Sequence, residues 1–193
     1  GRLVNLKDII EDTNYPREFC SKDFDTVAIE HTLRGSAYNT KLVAPNDVPK
    51  TWDDLLNPKW KGKIAIESSM SIFITLTPSW GEEKMVAYLK KLREQNPIFV
   101  NGATQATTLL GAGEFPLAVN TLLHRTLIMQ SKGSSVAQVP ISPIVDKFSP
   151  VVIPRNSPNP NAAKLYLRWL LTPEGIALAD KVRFKGNPLP GAG

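Results

Sequence analysis

The chain has 193 residues, of which 42% are hydrophobic and 21% are charged, an ordinary composition for a globular protein. No apolar stretch approaches the ~18 residues that a membrane-spanning helix needs. The net charge is +5 and the basic residues are dispersed, so solvated faces are expected rather than a nucleic-acid patch, with a mild field that attracts small anions. The lone Cys20 cannot form an intrachain disulfide and is expected to be an inert, at least partly buried thiol.

The first third of the chain contains two short apolar runs bounded by turn residues. The runs TVAIE (26–30) and KIAI (63–66) each predict a strand. Between them, Thr51 is placed to cap a short helix over WDDLL, which Pro58 ends. This part of the chain is therefore predicted to alternate strand and helix.

Two helices are predicted after the second strand. Ser68 or Ser69 is placed to cap the first of them, and Ser79 and Glu82 have the spacing of a capping box before the second. The apolar residues fall at helical spacing on one face of each helix: Ile72, Phe73 and Leu76 in the first, and Met85, Tyr88, Leu89 and Leu92 in the second. Core packing is the simplest explanation of both faces.

The segment from Pro97 to Val139 repeats the alternation. Strands are predicted at PIFV (97–100), PLAVN (116–120) and SVAQV (135–139). The sequence Asn101-Gly102-Ala103-Thr104 can open a helix that ends near Gly111 and Gly113, and LLHRTLIMQSK predicts a helix before the last strand.

After Pro140 the composition changes. Residues 141–161 contain five prolines, which is typical of a crossing segment, with PVVIP as its strand-like piece. Asn159 and Pro160 form an N-cap and first-turn pair for an apolar helix. A second helix is predicted from Thr172 to just before Gly186.

Strand–helix alternation over 46–145 favours an α/β layer architecture. The flanking pieces do not complete a sheet alone and suggest a second lobe that the chain enters more than once. We predict three segments: 1–45 as a partial lobe one with the hinge strand, 46–146 as a complete lobe two, and 147–193 as the hinge return with the C-terminal helices of lobe one.

The stretch PKTWDDLLNPKWKGKIAI (49–66) resembles the segment that enters lobe two of periplasmic solute-binding proteins of ABC importers, closest to the iron(III)-type branch. Further matches keep the order of that family: AYNTKLV (37–43), GEEKMVAYLKKLREQNPIFVNGATQ (81–105), GAGEFPLAVN (111–120) and NPNAAKLYLRWLLTPEG (159–175). The resemblance implies a type-II periplasmic-binding-protein fold. The two tryptophans of the first motif are expected to be scaffold, since they can bury large surfaces.

The same resemblance implies that the chain is an N-terminally truncated fragment, because family members have a long segment before the region matched by Gly1. One complete lobe and a partial second lobe are expected. A partial lobe exposes apolar surface, so a homodimer is also expected.

Three strand ends carry polar residues suited to an anion, because free N–H groups and helix dipoles point there. The predicted ligand-binding residues are Ser68, Ser69, Ser71, Asn101, Gly102, Thr104, Asn120 and Thr121. By resemblance, Ser69, Ser71, Asn101 and Asn120 fall where ferric-binding relatives hold the anion beside the iron. Each residue taken singly is equally well explained as a helix cap or turn former.

Ferric-binding relatives carry an adjacent tyrosine pair shortly after the strand matched by PLAVN, where this chain has Leu122 and Leu123. That difference argues against ferric binding through tyrosine, and no metal site or cofactor is predicted. His124 and Arg34 are further candidates for ligand contact, although a helix-face histidine and a surface ion pair are the ordinary roles of such residues.

The resemblance implies a periplasmic protein, or a lipid-anchored extracellular one in a Gram-positive bacterium. It would close two lobes on a small anionic or polar ligand and deliver it to a membrane permease. Two alternatives stay open: the ligand-sensing domain of a transcription regulator, and a ferric-ion or chelate binder without the tyrosine pair. An enzyme is not predicted, because the sequence contains no P-loop, G-x-S-x-G or H-E-x-x-H motif.

Overall fold

The computed structural model describes residues 2–185. The chain forms two compact units, one of Gly1–Thr32 with Lys147–Gly193 and one of Leu33–Asp146. The first is called here the terminal unit and the second the central unit. The assignment of 1–45, 46–146 and 147–193 to lobes and hinge stays a prediction.

The described residues alternate helices and strands as an α/β protein. The helices are α1 Lys7–Asp12, α2 Ser71–Trp80, α3 Glu82–Glu94, α4 Ala103–Ala112, α5 Leu123–Ser131, α6 Pro160–Leu170 and α7 Pro173–Arg183. The strands are β1 Val27–Asn39, β2 Ile64–Glu67, β3 Ile98–Val100, β4 Leu117–Leu122, β5 Val136–Val139 and β6 Val145–Val151. None of these helices is long and apolar enough to cross a membrane.

The strands form a mixed sheet in the order β3-β2-β4-β1-β5, and β6 pairs with β1 outside this path. Strands β2, β3 and β4 run parallel to one another, whereas β1 runs antiparallel to β4 and β5. The carboxyl ends of β2 and β4 therefore lie side by side, because Ile66 pairs with Val119. A helix follows each end, α2 after a short loop and α5 directly, which is the arrangement that creates ligand sites in α/β proteins.

Two of the predicted helix caps are wrong. Helix α2 begins after Met70, which has a left-handed backbone (φ 50°), and neither Ser68 nor Ser69 occupies the cap position. Helix α3 begins after Gly81, with φ 82°, and no side chain caps it. Ser79 lies inside α2, so the predicted capping box does not form. In both places a residue with positive φ redirects the chain between two elements, and this backbone requirement takes precedence over side-chain capping.

The central unit has an aromatic core built partly by the Pro49–Ile66 motif. Trp52 lies edge-on to Phe73, Trp80 and Tyr88, with ring centroids 5.9, 5.8 and 6.4 Å apart. Tyr88 donates a hydrogen bond of 2.8 Å to the Trp52 carbonyl, and burial raises the pKa of its hydroxyl. Trp60 is also buried. The motif is therefore scaffold, as predicted.

The terminal unit has a separate core. Its buried residues are Leu6, Ile9, Ile10, Tyr15, Val27, Ile153, Leu167 and Leu171. Helix α7 begins as predicted, with the Thr172 hydroxyl accepting a hydrogen bond from the Gly175 N–H at 3.2 Å. The proline-rich segment forms its strand earlier than expected, since β6 ends at Val151 rather than covering PVVIP. Cys20 is half-buried, and burial raises the pKa of its thiol, as expected for an inert cysteine.

A buried carboxylate ties α7 to β1 within the terminal unit. Glu30 is 5% exposed, and its two oxygens accept hydrogen bonds from Arg183 and, at 2.8 Å, from Lys185. Burial raises the pKa of Glu30, but the bonds from Lys185 and Arg183 outweigh burial and hold the pKa below its ordinary value.

This lowered pKa predicts an acid-sensitive contribution to stability. The contribution is fully present above the unfolded-state pKa of about 4.3 and is lost as the pH falls through the lowered folded-state pKa. The free energy of unfolding can be measured by urea titration at pH values from 7 to 3. At neutral pH, its value for the wild-type chain should exceed its value for Glu30→Gln. The difference should shrink below about pH 4.3, because protonated Glu30 resembles glutamine. A difference that stays constant across this range would contradict the assignment.

Candidate functional site

The adjacent ends of β2 and β4 place two buried polar side chains next to each other. Glu67 is the last residue of β2 and is 7% exposed, and Asn120 lies within β4 and is fully buried. The Asn120 amide donates a hydrogen bond of 2.6 Å to Oε2 of Glu67. A buried carboxylate is stable only when it is paired and hydrogen-bonded, so this contact fixes both side chains.

The first residues after β2 supply further hydrogen bonds to this carboxylate. The Ser69 hydroxyl donates to Oε2 of Glu67, and the Ser69 backbone N–H donates to Oε1 at 3.2 Å. The Ser71 hydroxyl, at the start of α2, donates to Oδ1 of Asn120 at 3.3 Å. The loop between β2 and α2 is therefore held against β4 by hydrogen bonds to two side chains.

Arg34 supplies the positive charge. It lies on β1, and its guanidinium donates to Oδ1 and to the backbone carbonyl of Asn120 at 3.0 and 3.3 Å. The same nitrogen lies 3.6 Å from Oε2 of Glu67, and 22% of the Arg34 side chain is exposed. Arg34, Glu67, Ser69, Ser71 and Asn120 are called here the Glu67 cluster.

A β-bulge positions Asn120. Gly35 pairs with Thr121 and Ser36 pairs with Val119, so Asn120 is the extra residue on β4. Its φ is 66°, a left-handed conformation that asparagine tolerates better than most residues. Bulges are frequent beside functional sites because they redirect one side chain out of the alternating pattern.

Four of the ten residues predicted for ligand binding join the Glu67 cluster: Ser69, Ser71, Asn120 and Arg34. Ser68 instead donates to the Val100 carbonyl at 3.0 Å, and the buried Thr121 donates to the Gly35 carbonyl at 3.3 Å. Both of these bonds tie neighbouring strands together. Whether any of the ten residues binds ligand stays a prediction.

The remaining predicted residues lie elsewhere in the central unit. Asn101, Gly102 and Thr104 are exposed around the start of α4. Asn101 lines an open groove of about 400 Å³ that also includes Phe99 and Phe115, and no hydrogen bond joins it to the described Glu67 cluster. His124 is half-buried in the first turn of α5.

Glu67 was missed by the sequence reasoning. The available signal was a carboxylate placed directly after the buried run KIAI, where an unpaired charge is costly. Its partners come from β1, β4 and the loop before α2, so only the fold reveals them. Among residues 2–185, no three His, Cys, Asp or Glu side chains are grouped to hold a metal ion.

The family model of bacterial extracellular solute-binding proteins matches residues 26–192 of this chain. The chain belongs to this family. A protein of Haemophilus influenzae is 25% identical over 186 residues, which cover 92% of this chain and 53% of that protein. The chain therefore spans about half the length of this curated relative, and its membership of the solute-binding family is as predicted.

Solved structures of solute-binding proteins share the fold. Iron-bound HitA from Pseudomonas aeruginosa superposes with a TM-score of 0.74 at 19% identity, over 99% of this chain and 65% of that one. The periplasmic binding protein AfuA from Actinobacillus pleuropneumoniae, with fructose-6-phosphate bound, superposes with a TM-score of 0.71 at 23% identity, over 100% of this chain and 62% of that one. These likenesses confirm the predicted periplasmic-binding-protein fold and its partial extent in this chain.

Proposed function

We propose that this chain is part of the solute-binding component of an ABC-type import system of the iron(III)-type branch. It captures a small polar or anionic ligand and delivers it to a membrane permease. The observation that carries the proposal is the family match over residues 26–192. The Glu67 cluster supports a location for the ligand, because it gathers charged and hydrogen-bonding groups at adjoining strand ends.

The chemistry of the ligand is part of the proposal. HitA was solved with iron and AfuA with fructose-6-phosphate, so proteins of this fold hold different ligands. In this chain Leu122 and Leu123 stand where the resemblance places the tyrosine pair of ferric-binding relatives. Aliphatic side chains cannot ligate a ferric ion, and we therefore favour an organic ligand over iron.

The partners and location follow from the same family. We propose a periplasmic or lipid-anchored extracellular protein that binds without chemical turnover, docks on a permease, and self-associates as a homodimer. A ligand-sensing domain of a transcription regulator is the alternative, and it would be favoured if the gene encodes a helix-turn-helix segment.

A thermal-shift screen of the 193-residue chain tests the proposal. The panel consists of carboxylates, oxyanions, polyamines, sugars and ferric salts, the last with and without an added anion. We expect one class of organic compound to raise the melting temperature, because a ligand that binds only the folded state stabilises it. A panel in which nothing shifts the melting temperature would argue against solute binding by this chain.

A matched pair of serine variants then locates the ligand. Ser69→Ala should weaken binding about 3- to 10-fold, because it removes one of the hydrogen bonds that hold Glu67 in place. Ser68→Ala should leave the affinity unchanged, since the Ser68 hydroxyl bonds to Val100 rather than to the Glu67 cluster. Isothermal titration calorimetry gives both affinities. Equal effects of the two substitutions would place the ligand elsewhere.

A further inference from the structure

The hydrogen-bond donors at the end of β2 are already occupied by a side chain of the protein. The Ser69 hydroxyl, the Ser69 N–H and the Asn120 amide all donate to the two oxygens of Glu67. A backbone N–H, a hydroxyl and an amide converging on one point form the kind of donor set that binds a free oxyanion. In this chain a tethered carboxylate fills that position.

The positive charge of Arg34 at this edge is balanced by the negative charge of Glu67. Arg34 is the cation of the cluster, and its guanidinium lies 3.6 Å from the Glu67 carboxylate. A carboxylate whose side chain is only 9% exposed is held by these partners and cannot turn into water without leaving them unpaired. A second anion would have to displace Glu67 or lie beside it, where like charges repel.

One acceptor position on the Glu67 carboxylate remains available. Oε1 of Glu67 accepts one described hydrogen bond, from the Ser69 N–H, and a carboxylate oxygen has capacity for a second. Ser69 itself is exposed, so the edge is open to solvent on the side of the loop. A group that donates hydrogen bonds therefore fits here better than a group that accepts them.

We propose that Glu67 is a specificity-determining residue that excludes free oxyanions from this edge and reserves it for a hydrogen-bond donor of the ligand, a hydroxyl or an ammonium group. The inference deepens the proposed function and rests on it for the presence of a ligand. It narrows the class of ligand from anionic or polar compounds to compounds that present a hydrogen-bond donor to the Glu67 cluster.

Inorganic phosphate is the probe for the exclusion. In calorimetric titrations at pH 7, Glu67→Ala should bind phosphate at least tenfold more tightly than the wild-type chain does, a difference equivalent to about 1.4 kcal/mol or more. Adding Arg34→Met to Glu67→Ala should remove the gain, because the free cation is lost. Glu94→Ala, which removes an exposed carboxylate from α3, should leave phosphate binding at the wild-type level.

The near-isosteric variant Glu67→Gln is a control for a folding defect in Glu67→Ala. It keeps the shape of the side chain and removes its charge, and a circular dichroism spectrum and melting curve close to wild type establish that it folds. A measurable rise in phosphate affinity in this variant supports the exclusion. Wild-type phosphate affinity equal to that of both Glu67 variants overturns it.

The panel of organic compounds separates this inference from the proposed function. A polyol or amine that stabilises the wild type, and loses its effect in Glu67→Gln, supports both. If Glu67→Ala gains phosphate binding but no compound binds the wild type, the exclusion of oxyanions by Glu67 is supported and solute binding by this chain is contradicted. If an oxyanion binds the wild type and Arg34→Met weakens its affinity, solute binding is supported and the proposed role of Glu67 is contradicted.

Discussion

Replacing Trp52 with alanine is expected to lower the free energy of unfolding by about 3 to 5 kcal/mol, the range for removing a large buried aromatic side chain. Trp52 is 5% exposed, and its ring meets three aromatic neighbours edge-on. Its indole N–H also donates to the Pro143 carbonyl at 3.2 Å. The substitution therefore removes apolar contact, aromatic packing and one hydrogen bond together.

Urea unfolding followed by circular dichroism measures this loss. Phe99→Ala is the control, because it truncates an aromatic residue of the same unit that is 59% exposed. The control should change the free energy of unfolding by less than about 1 kcal/mol, as surface substitutions do. Losses of similar size in the two variants would show that the ring of Trp52 is not packed as described.

Gly175→Ala is expected to destabilise the chain by about 3 kcal/mol, because the new methyl group has no space. Gly175 lies in the first turn of α7. A Cβ there would overlap the Trp169 carbonyl oxygen and lie 2.8 Å from the Cα of Leu170. Both obstacles are backbone atoms, so relief requires α6 and α7 to move apart.

Gly111→Ala is the matched control for this steric effect. Gly111 is also helical, in α4, and a Cβ there would lie 2.7 Å from the terminal methyl of Met129. That methyl ends a flexible side chain and can rotate away, while alanine favours a helix by up to ~1 kcal/mol over glycine. The melting temperature should fall clearly for Gly175→Ala and stay within a few degrees of wild type for Gly111→Ala. Equal falls in the two variants would contradict the distinction between backbone and side-chain obstacles.

Most strands and helices could be predicted from the sequence because their signals are local. The apolar runs at 63–66 and 97–100 became β2 and β3, and the apolar face of α3 is buried as its spacing predicts. The helix starts at α2 and α3 could not be predicted, because Met70 and Gly81 take positive φ to suit tertiary connections. Serines suitable for capping were present nearby, and the chain did not use them for that purpose.

The Glu67 cluster shows a second limit of sequence reasoning. Polar residues near the ends of β2 and β4 were recognisable because strand ends are where ligand sites form. The pairing between them depends on which strands are neighbours and on a bulge that shifts register between Gly35 and Ser36. Neither property leaves a local signal, and so the central carboxylate, Glu67, was not among the predicted residues.

The bulge at Asn120 also restricts how this edge can evolve. A φ of 66° suits glycine, asparagine and aspartate, and most other side chains would be strained there. Of these three residues, only asparagine both donates to a carboxylate and accepts from an arginine, as Asn120 does. Substitution at this edge is therefore less restricted at Ser69, Ser71 and Arg34, whose backbones do not take a positive φ, than at position 120.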